Sequence, residues 1–111
     1  MRLKIVDAFK VDRHGESTGF NPNKLNNSKL LWHGSRFSNF VGILSQGLRI
    51  APKEAPCTGY NFGKGVYFAD LIEKSWWYAR PDLSNGVGIF VLAEVALGNP
   101  QELRHSKHDA N

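Results

Sequence analysis

Leu30-Leu31-Trp32-His33-Gly34-Ser35-Arg36 decides how this chain is read. Gly63-Lys64-Gly65-Val66-Tyr67-Phe68-Ala69-Asp70 completes the reading, with Lys74, Ser75 and Tyr78 close behind. Each stretch is an apolar run that stops abruptly in small or hydrogen-bonding residues. A sheet edge built in this way presents backbone and polar side chains to a ligand. Leu30 to His33 is predicted as a short strand that Gly34 ends. Without a Cβ, Gly34 lets a planar ligand approach its backbone, where one N–H and one C=O stand together. A primary carboxamide needs that donor and acceptor, and the Ser75 hydroxyl adds a partner for the carboxamide oxygen. Tyr67 and Tyr78 can sandwich an aromatic ring, each stack contributing ~0.5–1.5 kcal/mol beyond area burial. His33 and Ser35 flank the glycine and suit ribose hydroxyls.

Working outward, Leu3 to Val11 places Leu3, Ile5, Phe9 and Val11 on one parity and predicts a strand. Arg13 to Ser28 is polar, holds Gly15, Gly19 and Pro22, and reads as a loop. Ser38 is a fitting N-cap for a helix over about Asn39 to Gln46, with Gly47 where a left-handed turn is needed. Arg49 to Lys64, with Pro52, Pro56, Gly59 and Gly63, reads as an ordered loop, and Gly65 to Phe68 as a third strand. Asp70 caps a helix over Leu71 to Tyr78, and Pro81 follows its end. Val87 to Leu97 is long, apolar and β-branched, which predicts a central strand with neighbours on both faces. After Gly98 and Pro100 the tail Gln101 to Asn111 loses its periodicity. Four strands and two short helices make an α+β pattern in one domain spanning residues 1–111.

Composition narrows the function classes. Hydrophobic residues at 41% and charged residues at 22% are ordinary for a folded globular chain of 111 residues. The formal net charge of +4 suits a polyanionic ligand such as a dinucleotide. Lys and Arg are scattered rather than clustered, so a dedicated nucleic-acid face is not expected. Cys57 is the single cysteine, which excludes an internal disulfide and a cysteine-based zinc site. No apolar stretch matches a signal peptide or a membrane span, so the expected address is nucleus or cytoplasm, with no membrane partner.

Other patterns lose to plainer readings. Gly59 to Lys64 fails as a phosphate loop, because three residues rather than four separate Gly59 from Gly63 and Gly65 stands where Ser or Thr belongs. His105, His108 and Asp109 lack a further firm ligand, so the tail reads as solvated and no metal is expected. Cys57 has no nearby histidine to activate it. Taken alone, His33 is a core or loop histidine and Tyr67 and Tyr78 are packing aromatics. Trp76 and Trp77 receive no role.

Taken jointly, the motifs resemble the first half of the catalytic domain of the poly(ADP-ribose) polymerases, NAD-dependent ADP-ribosyltransferases. The likeness runs from about Ile5 to Leu103. It is closest in Leu-Trp-His-Gly-Ser-Arg, Gly-Ile-Leu-Ser-Gln-Gly-Leu-Arg-Ile-Ala-Pro and Gly-Lys-Gly-Val-Tyr-Phe-Ala-Asp, which stand nearly as in the DNA-damage-responsive members, an association with DNA repair. The resemblance implies a split antiparallel sheet with short helices, of which this chain holds the first half. It implies NAD as substrate, protein acceptors and release of nicotinamide. By resemblance, His33 bonds the adenosine ribose, Gly34 grips the nicotinamide amide with Ser75 assisting, and Tyr78 stacks on the nicotinamide ring. Tyr67 is the middle member of a His-Tyr-Glu triad, Lys74 lies near the acceptor, and Ser35, Asn39, Arg49 and Tyr60 line the adenosine and loop side.

The triad glutamate is not matched. A cationic sugar transition state wants a nearby carboxylate, and neither Glu94 nor Glu102 carries the family's surrounding motif. The chain is therefore expected to be a fragment, a truncated gene product or a degenerate copy that binds and does not transfer. Two other readings stay open: a non-catalytic module for NAD or ADP-ribose, completed by another chain or a homodimer through open sheet edges, and, ranked last, a small nucleic-acid binder relying on charge.

Overall fold

The computed structural model describes residues 2–15, 27–50 and 64–103. The expectations for Cys57, Tyr60, His105 and His108, and for most of the loops 13–28 and 49–64, lie outside these residues.

Two strands form the sheet. β1 is Ser28–Ser35 and β2 is Ile89–Ala96, antiparallel and in register from Ser28 opposite Ala96 to Ser35 opposite Ile89. β2 supplies the β-branched residues Ile89, Val91 and Val95, and β1 sets Trp32 opposite Leu92. Asn27 and Leu97 extend the ladder by one bond, N to O 3.1 Å. The α+β class stands, with half the expected strands among the described residues.

Two of the four predicted strands are corrected. Leu3 to Val11 has no regular structure: Ile5, Val6 and Phe9 all face solvent, Phe9 at 83% exposure. Alternating residues make a strand only when a neighbour takes the backbone bonds. The segment is tied down at Arg13, whose Nη2 donates to the Ser45 carbonyl at 3.2 Å. Gly65 to Phe68 is likewise not a strand. The chain bends at 64–65 and again at 70–71, leaving room for one antiparallel bridge between Ala69 and Trp32.

The first helix begins two positions before, and the second one position after, where their expected caps would put them. α1 is Phe37–Gln46, so Ser38 lies inside the first turn and extended Arg36 is the N-cap. Gly47 ends it as expected, with φ 81° and its N–H bonded to the Ile43 carbonyl at 2.8 Å. α2 is Ile72–Ala79, preceded by extended Leu71 rather than by Asp70. Arg80 ends α2 in the left-handed region, and Pro81–Leu83 follows as one 3₁₀ turn.

α2 packs on the sheet through small residues. Ser75, Ala79, Ala69 and Gly34 are all buried there, and the backbones approach closely because nothing large separates them. Among the described residues Phe40 is the large apolar residue that is buried. α2 covers the face of Gly34 and Phe90 at one end only, leaving Leu30 and Leu92 further along that face exposed. The expectation that the last strand has neighbours on both faces is thus met at one end of one face.

Candidate functional site

Trp32 sets the geometry. It turns both N–H and C=O away from β2 and onto Ala69, at 2.8 and 2.9 Å. In an antiparallel ladder that direction repeats every second residue, so Gly34 turns its own N–H and C=O to the same open side. Continuing the Trp32–Ala69 bridge would put Tyr67 opposite Gly34. The Tyr67 carbonyl instead bonds the His33 ring Nδ1 at 2.7 Å, and Gly34 has no backbone partner among the described residues. A backbone donor and acceptor side by side on this strand edge suit a group that supplies the reverse pair. A carboxamide is such a group.

The bond to Tyr67 also fixes the His33 tautomer. A carbonyl only accepts, so Nδ1 carries the hydrogen and Nε2 of the neutral ring is left as an acceptor. The ring lies 5.7 Å from that of Phe68, tilted at 60° to it. Ser35 accepts a bond from Asn39 Nδ2 at 2.8 Å, joining the end of β1 to the first turn of α1.

Ser75 comes to Gly34 from the other element. A Cβ built on Gly34 would lie 2.3 Å from the Ser75 carbonyl oxygen, so the two backbones are in direct contact. The Ser75 hydroxyl donates to the Trp32 carbonyl at 3.3 Å. That bond is long, and the same carbonyl already accepts from Ala69. The hydroxyl can therefore turn to a ligand at small cost. Lys74 and Tyr78 share α2 with Ser75, and Tyr78, one turn on, keeps nearly half its surface exposed.

The structure thus gathers Gly34 with Ser75, His33 with Tyr67, and Ser35 with Asn39. Arg49 stands apart, past the other end of α1, where its Nη1 bonds Gln46 at 2.6 Å. Sequence reasoning missed Phe90. Its ring touches the position a Gly34 Cβ would take, at 3.2 Å, and stacks on Trp76 at 5.9 Å and 13°. The one signal for it in the sequence is an aromatic residue two positions after Gly88. Trp76 is consequently part of the packing beneath the site, while Trp77 is exposed. Among the described residues no group of three or more metal-ligating side chains is gathered, and no helix is long and apolar enough to cross a membrane.

The sequence model of the poly(ADP-ribose) polymerase catalytic domain matches residues 1–111. The chain belongs to this family, a class of ADP-ribosyltransferase. Poly(ADP-ribose) polymerase of Drosophila melanogaster is 60% identical over 107 residues, covering 96% of this chain and 11% of that protein. Poly(ADP-ribose) polymerase 1 of Gallus gallus is 56% identical over 107 residues, with the same coverage of 96% and 11%. Poly(ADP-ribose) polymerase 2 of Zea mays is 56% identical over 110 residues, 98% of this chain and 17% of that protein. The chain thus spans between about a tenth and a sixth of the length of these relatives.

Proposed function

We propose that this chain carries the NAD-binding surface of an enzyme that transfers ADP-ribose from NAD to protein or to a growing polymer, releasing nicotinamide. One observation carries the reading: the N–H and C=O of buried Gly34, which have no backbone partner among the described residues, with the Ser75 hydroxyl beside them. The carboxamide N–H₂ donates to the Gly34 carbonyl, while the carboxamide oxygen accepts from the Gly34 N–H and from Ser75. Tyr78 stacks on the pyridine ring from α2, and Tyr67 faces it from the segment that precedes the Ala69 bridge. His33 Nε2 accepts from a ribose hydroxyl, with Ser35 and Asn39 beyond it. Lys74 serves the acceptor side. The protein works in the nucleus or cytoplasm.

Transfer itself needs a carboxylate near the nicotinamide ribose, and Glu94 does not supply it. Glu94 opposes Leu30 while Phe90 opposes Gly34. Four residues of strand separate the two, roughly 13 Å at about 3.3 Å per residue. We therefore assign binding to the described residues, and no transfer. Titration with benzamide, a nicotinamide mimic, tests the binding. Perturbation of the Gly34 amide resonance, lost on Ser75→Ala with Tyr78→Ala, supports it, and a silent titration refutes it. Incubation of the 111-residue chain with labelled NAD tests the second statement, since measurable self-modification would overturn it.

A further inference from the structure

We propose that Phe90, with Trp76 stacked upon it, is a positioning residue that sets the separation of Gly34 from Ser75; the idea rests on the binding site proposed above. Phe90 stands directly opposite Gly34 in the register. Because Gly34 turns its backbone groups away from β2, this is a non-hydrogen-bonded pair, the kind in which opposed residues lie closest. The ring fills the space that two glycines leave. Its Cε1 lies 3.2 Å from a Cβ built on Gly34, and its Cε2 lies 2.8 Å from one built on Gly88. A side chain at either position would displace it.

The exposed side of the ring is the landing surface for α2. Trp76 stacks on it nearly parallel, and Trp76 follows Ser75 directly. Ala79, one turn further on, lies beside Gly88, 3.3 Å from where that residue's Cβ would stand. The thickness of one flat ring therefore fixes how high α2 rides over β1. At that height the Ser75 carbonyl meets Gly34 and the Ser75 hydroxyl stays within reach of the Trp32 carbonyl. Phe90 touches no ligand group itself. It acts through the placement of Ser75, and through α2 on Tyr78.

Four variants of the full chain separate this role from simple support of the fold: Phe90→Leu, Phe90→Ala, Trp76→Ala and Trp76→Phe. Three readouts are taken on each: helicity, the nuclear Overhauser intensity between Gly34 α-protons and Ser75 β-protons, and benzamide affinity. Trp76→Ala and Phe90→Leu should keep their helicity, lose that cross-peak intensity and bind benzamide about tenfold more weakly. Trp76→Phe keeps a flat ring on Phe90 and should restore both. Unchanged cross-peaks and affinity in Trp76→Ala and Phe90→Leu overturn the proposal, as does failure of Trp76→Phe to restore them. Should Phe90→Ala unfold, the Trp76 pair decides the matter. Should the unsubstituted chain ignore benzamide, the binding-site reading falls, and the cross-peaks alone decide whether Phe90 sets the spacing.

Discussion

At the scale of single residues, glycine does two different jobs in this chain. Gly34 is required by space: the Ser75 carbonyl, a backbone atom that cannot swing aside, lies 2.3 Å from where a Cβ would be. Gly86 is required by conformation: its φ is 77°, and nothing lies within 4 Å of its missing Cβ. Gly34→Ala should destabilise the fold by about 1–3 kcal/mol through overpacking and abolish benzamide binding by pushing α2 away. Gly86→Ala should cost about 1–2 kcal/mol of backbone strain and leave binding intact. Chemical denaturation with a benzamide titration separates the two. Ser75→Ala is expected to leave stability within about 1 kcal/mol, because the Trp32 carbonyl keeps Ala69, while benzamide affinity falls by about 0.5–1.5 kcal/mol. That Gly34 and Ser75 meet was legible in the sequence because Gly34 ends an apolar run and a hydroxyl follows the second motif. Phe90 was not legible, since nothing local says which residue a strand will oppose.

Among the elements, α2 is the one whose placement makes the site, and its exit is held by charge. Arg80 takes a left-handed backbone with φ 49° and ψ 60°. Its guanidinium forks onto Asp82, at 3.0 and 2.8 Å, across the turn. The hydrogen bond from Arg80 holds the Asp82 carboxyl below its usual range, with the guanidinium's charge adding to this, and the same bond raises Arg80. A carboxyl lowered in the folded state contributes stability that is complete above the ordinary aspartate value of about 3.9. That contribution is lost as pH falls through the lower folded value. Asp82→Asn should therefore lower thermal stability slightly at neutral pH, and the difference from the unsubstituted chain should vanish in strong acid. Both groups are exposed, so the effect is small. The helix starts were misread for a physical reason: Ser38 and Asp70 are good capping residues, but extended Arg36 and Leu71 are what the turn off the sheet requires.

For the molecule as a whole, apolar surface outweighs core. Among the described residues the buried hydrophobic ones are Phe40, Ala69 and Ala79, while Ile5, Phe9, Leu30, Val41 and Trp77 face solvent. The outer edge of β2 has no strand paired to it among the described residues, and such an edge is a template for another chain. Sedimentation velocity should show the mean mass rising with concentration, more steeply at high salt, where the net charge of +4 no longer keeps copies apart. A mass independent of both would show that this surface does not self-associate.

The amino-acid order by itself determined the family, the presence of the two helices, and the strands around Leu30 to His33 and within Val87 to Leu97, because hydrophobic period and motif order are local properties. It also pointed to Gly34, since the need for a bare backbone is written in the residue. Tertiary structure alone decided that Leu3 to Val11 stays unpaired, that Gly65 to Phe68 yields one bridge, and that His33 stops the ladder by taking the Tyr67 carbonyl. It alone set Phe90 under Gly34. Pairing and register depend on which distant backbone arrives alongside, and no short stretch of sequence contains that partner.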